Sequence, residues 1–125
     1  MTKLYELLRT SFSVGIQEDA LVLKTPIMYK AADHTFSFMI SRSASGSLAI
    51  TDRGQTIDYL RENLDVNKYA DFIRSVCERF EITYDQGAFY AHVASAESGQ
   101  TARTVCTFIG AMNIIANADL FCTEK

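Results

Sequence analysis

The stretch Leu48-Ala49-Ile50-Thr51-Asp52-Arg53-Gly54-Gln55-Thr56-Ile57 decides how the chain is organised. Its first four residues read as a short extended segment. A helix should start near Asp52, whose carboxylate can accept a bond from a free backbone N–H; Gln55 stands three residues later, as in a capping box. Ile57, Leu60 and Leu64 then fall on one helical stripe. Ten residues thus carry the chain from strands into helices.

Working backwards, Thr35 to Ser41 alternates, with Phe36, Phe38 and Ile40 on one face, the period of a strand with one buried side. Ser43-Ala44-Ser45-Gly46 joins it to Leu48–Thr51 as a hairpin loop. Ala20 to Lys24 is a further extended segment, and Pro26 limits how far it can pair. Leu4, Leu7, Leu8 and Phe12 recur at helical spacing, so residues 2–12 read as an amphipathic helix ending near Ser13 to Gly15.

Working forwards, Leu64 to Asn67 breaks the first post-strand helix. A second follows, with Val66, Tyr69, Ala70, Ile73, Val76, Cys77 and Phe80 as its buried stripe. Arg74 and Glu78 stand at i,i+4 on its polar side. Glu81–Tyr84 and Ala88–Val93 form a hairpin, with Gly87 supplying positive φ. Alternation puts Tyr84 and Phe89 in the core and leaves Tyr90 and His92 exposed. A helix from about Thr101 to Ala118 closes the chain. The order αβββααββα, with most strands joined by hairpins, predicts an α+β fold: a single, mainly antiparallel sheet of about five strands with helices on one face. With 125 residues and no linker or repeat, residues 1–125 are expected to form one domain.

Composition narrows the function classes. The 48% hydrophobic and 22% charged fractions are those of an ordinary globular chain. Twelve basic and fifteen acidic residues are interspersed, with no Lys or Arg run, which disfavours nucleic acid as a partner. The apolar-rich stretch from Val105 to Phe121 is too short and too polar to span a bilayer, and residues 1–9 do not read as a signal peptide. A cytoplasmic location is expected. Cys77, Cys106 and Cys122 lack metal-ligand spacing and are read as reduced, buried small hydrophobes. No P-loop, GxGxxG or nucleophile elbow is present, so no cofactor, metal or catalytic residue is assigned.

Thr25-Pro26, Asp33 and Ile50-Thr51-Asp52-x-Gly54-x-Thr56-Ile57, followed by two helices and a hairpin, resemble the bacterial and phage family known as domain of unknown function 1828. The family often has a second acidic residue where this chain has Arg53. The resemblance implies no agreed activity. A second likeness, in element order, size and mild acidity only, is to the dimeric chaperones of type III secretion effectors.

Asp33, Asp52, Arg53, Gly54 and Thr56 are the candidate binding residues. One reading is an anion or partner site at a helix N-terminus, where free N–H groups point outward. The other is a strand-to-helix turn capped by Asp52, in which Ala should cost about 0.5–2 kcal/mol and Asn much less. Asp33 and Asp52, at one end of a sheet, could also serve as metal ligands of an enzyme acting on nucleic acid. His34, beside Asp33, points to the opposite face of an extended segment and makes no dyad with it.

The expected function is a non-enzymatic protein-binding or regulatory domain, possible roles including inhibition of a host defence protein or a secretion-chaperone-like binding module; the metal-dependent enzyme is the alternative. The partner is expected to be another protein. A homodimer is also expected, because the last helix carries two apolar stripes. One is Ala102, Val105, Cys106, Ile109, Met112 and Ala116; the other is Phe108, Ala111, Ile115 and Ala118. Phe108, Ala111 and Ile115 are the candidate dimer interface, unless another helix of the chain covers them.

Overall fold

Alternation along the strands sets which side of the sheet is covered. Leu21 and Leu23, Phe38 and Ile40, Leu48 and Ile50, and Phe89, Ala91 and Val93 are all buried, while the residues between them are mostly half-exposed or exposed. Successive strand side chains point to opposite faces, so one face of the sheet receives the helices and the other is left uncovered by them.

The computed structural model describes residues 13–17, 20–28, 35–42, 47–93 and 99–121. The elements are β1 (Ser13–Gln17), β2 (Ala20–Met28), β3 (Thr35–Arg42), β4 (Leu48–Thr51), α1 (Gln55–Asn63), α2 (Ala70–Arg79), β5 (Thr83–Asp85), β6 (Ala88–Val93), α3 (Gly99–Ala116) and α4 (Ala118–Phe121). The strands form one sheet in the order β1-β2-β3-β4-β6-β5, every neighbouring pair antiparallel. The α+β fold with one antiparallel sheet is the one expected, and from Ala20 to Ala116 the element order agrees. Ser13 to Gly15, expected as the end of a helix, belongs instead to the edge strand β1. The helix expected over residues 2–12, the 43–46 loop and Cys122 lie outside the described residues.

Pro26 has the effect foreseen for it. The ladder between β2 and β3 runs regularly from Ala20↔Ser41 to Lys24↔Ser37, then shifts register before Met28↔Thr35. Proline has no N–H to donate to a ladder, so the irregularity falls around it.

The helices cover the apolar face as one layer. The ring of Phe108 on α3 meets that of Phe38 on β3 edge-on, with centroids 5.5 Å apart and an interplanar angle of 81°. On the other stripe of α3, Met112 Sδ accepts the Thr56 hydroxyl of α1 at 3.7 Å. Helix α3 touches α1, α2 and β6, and Val105, Ile109, Met112 and Ala116 of its first stripe are buried. Phe108, Ala111 and Ile115 are 1%, 1% and 0% exposed. That corrects the expected dimer interface: side chains without accessible surface offer nothing to a second copy. Cys106, on the first stripe, is exposed rather than buried.

Candidate functional site

The turn from β4 into α1 is built around Asp52, which is 0% exposed. Its backbone N–H donates to the Phe89 carbonyl at 3.4 Å, prolonging the β4–β6 ladder by one residue. There the chain must leave the strand. Its carbonyl turns inward to accept the Gln55 N–H at 3.2 Å, and the side chain takes over the ladder: Oδ1 accepts the Phe89 N–H at 3.0 Å. The same Oδ1 accepts the Gly54 N–H at 3.0 Å, and Oδ2 accepts the Thr56 N–H at 3.0 Å. One carboxylate therefore satisfies three backbone donors, two at the start of a helix and one on a neighbouring strand.

Arg53 (φ 57°) and Gly54 (φ 84°) both adopt left-handed backbone conformations. Gly54 is required twice over. A Cβ there would be strained at that φ and would sit 3.2 Å from the Gly87 carbonyl oxygen. Gly87 (φ 81°) and Gln86 (φ 51°) form the two-residue β5–β6 turn, both with positive φ as a type I′ turn demands. The two turns thus pack together, and the β5–β6 hairpin is held against the entrance to α1.

This geometry closes the helix N-terminus that the sequence offered as an anion site. The N–H groups of Arg53, Gly54, Gln55 and Thr56 donate to Thr51 Oγ1, Asp52 Oδ1, the Asp52 carbonyl and Asp52 Oδ2. The expected capping box does not form: the N-cap position is Gly54, the Asp52 carboxylate accepts from Gly54 and Thr56 rather than from Gln55, the Asp52 N–H goes to the strand, and Gln55 Oε1 is enclosed without a hydrogen-bond partner. Of the four candidates in this turn, only Arg53 is exposed; its guanidinium crosses to Ser37 Oγ on β3 at 3.1 Å. Thr56 is buried beneath α3. A metal ion at Asp52 would have to displace the N–H groups that fill both of its oxygens. Asp33 and His34 lie outside the described residues, within which no three His, Cys, Asp or Glu side chains converge on a metal-sized point.

The open site includes Ile57, from the first turn of the same helix α1, and sequence reasoning missed it. A cleft of about 480 Å³ is bounded by α1, the 64–69 turn, α2 and β5. Buried Ile57, Ile73, Cys77 and Ile82 line its depth, and Val66, Ala70 and Tyr84 its more exposed walls; Arg74 and Glu78 complete the lining. Burial first, and then the Glu78 carboxylate, pushes the Cys77 thiol up to about 11, so it stays protonated and unreactive at neutral pH. Tyr84 was expected in the core but is 47% exposed. Its ring leans on Phe89, with centroids 5.0 Å apart, yet among the described residues β5 is the last strand of the sheet. Ala70 is also exposed, because residues 66–69 form a turn and α2 starts later than the apolar stripe suggested.

These features define an α+β fold with a self-satisfied polar turn and an open apolar cleft. The family described as "Domain of unknown function DUF1828" matches residues 25–115, and the chain belongs to it. No curated protein and no solved structure matches the chain. Among the described residues no helix is long and apolar enough to cross a membrane.

Proposed function

We propose that the chain is a non-enzymatic binding domain, cytoplasmic and of bacterial or phage origin, that regulates or inhibits a partner protein through the α1–α2–β5 cleft. The observation that carries this reading is the cleft itself. Its volume of about 480 Å³ falls within the range of roughly 300–1,000 Å³ typical of ligand sites, and its lining is mostly apolar with few polar groups. Tyr84 and Arg74 beside it are of the residue types enriched at binding hot spots. Inhibition of a host defence protein is one task such a contact would serve.

Ala70→Trp tests the reading. Ala70 is exposed and lines the cleft, so an indole there fills the space without displacing a core side chain. Peptides selected from a displayed library against the wild-type domain should lose at least about tenfold in affinity for the filled variant, the loss of one anchor contact. Its circular dichroism and urea midpoint should not change. Equal binding to both proteins would overturn the assignment of the cleft.

A further inference from the structure

Two opposite charges edge the cleft, those of Arg74 and Glu78. Ala70, Arg74 and Glu78 follow one another at i, i+4 and i+8 along α2, so they share a side of the helix. The expected Arg74–Glu78 pair does not form: Arg74 Nη1 turns back to Asp71 Oδ1 at 3.2 Å. Glu78 is left without an ion-pair partner among the described residues, and its charge reaches the cleft, where it adds to burial in keeping the Cys77 thiol protonated. Tyr84 lines the same cleft, half-exposed, its ring held by the contact with Phe89. An apolar depth, an aromatic wall and an unanswered carboxylate are together the elements that recognise a cation carried on an apolar group. The aromatic face and the carboxylate attract the charge while the depth takes the hydrocarbon.

We infer that the cleft selects a cationic amphiphile: in a partner protein, a segment that places a large apolar residue in the cleft with a Lys or Arg beside it. This rests on the cleft being the contact surface, as proposed above.

Three small probes share one ring and differ in charge: phenethylamine (+1), phenethyl alcohol (0) and phenylacetate (−1). Each is titrated into 13C-labelled protein while the methyl resonances of Ile57, Ile73 and Ile82 are followed. The amine should bind about two- to fivefold more tightly than the alcohol, and the acid most weakly. Glu78→Gln, at an exposed position, should bring the amine down to the alcohol, and Glu78→Lys should reverse the order of amine and acid. Equal affinities for the three probes would overturn the cation preference and leave the cleft standing as a binding surface. Methyl shifts confined to other parts of the protein, or none, would overturn both.

Discussion

The Asp52 turn and the α2 cleft use the same helix, α1, in opposite ways. At the turn, polar groups converge and nothing is left over: four successive N–H groups find acceptors within the turn, and the carboxylate that takes two of them is sealed from solvent. At the cleft, Ile57 from that helix joins an apolar surface that the described residues do not fill, edged by a carboxylate without an ion-pair partner among them. The region richest in apparent motif is the one that holds the fold together. The region with no motif is the one that forms the apolar cleft. A buried polar cluster must satisfy itself to be tolerated at all, whereas an apolar concavity can wait for a ligand.

The largest effect should come from breaking the turn. Asp52→Ala strands three backbone N–H groups, two of them buried, and stability to urea should fall by about 3–5 kcal/mol, beyond an ordinary cap. Asp52→Asn should also be costly, about 1–3 kcal/mol, because an amide has a single acceptor oxygen and would set N–H against N–H. This reverses the expectation for a simple cap, in which Asn substitutes well. An Asn variant as stable as wild type would show that Oδ2 matters little.

Gly54→Ala probes the second support of the same turn. The positive φ and the close Gly87 carbonyl should together cost about 1–3 kcal/mol, read as an earlier urea midpoint with an unchanged slope. A neutral result would mean that the β5–β6 turn shifts aside freely.

The smallest effect lies at the cleft. The Cys77 thiol is raised from 9.0 to about 11, so the folded state holds its proton more tightly than the unfolded state does. Its contribution to stability is complete below pH 9 and is lost as pH rises from 9 to about 11. The urea midpoint of the wild type should therefore decline more steeply over that window than that of Cys77→Ala. In the native protein iodoacetamide should label exposed Cys106 well before buried Cys77. Parallel pH profiles for wild type and Cys77→Ala would place the thiol in contact with water, and the cleft would be wetter than its lining implies.

The sequence by itself determined the strands from Ala20 onward, the three main helices and the antiparallel hairpins, because each rests on a local period or a turn residue. Phe38 and Ile40 alternate, Ile57 and Leu60 recur at helical spacing, and Gly87 permits its turn. It also marked Asp52 as a cap, since the need of a helix N-terminus for an acceptor is local. What Asp52 does beyond capping required the tertiary structure, because Phe89, its third donor, is 37 residues away along the chain. The same holds for Phe108 and Ile115: an apolar stripe shows that a face must be covered, but only the packing of α1, α2 and the sheet shows that the chain covers it itself. The cleft was illegible for a further reason. Ile57, Ile73 and Ile82 look like any core residues in sequence, and a cavity is a mismatch between surfaces from distant segments, which no local pattern records.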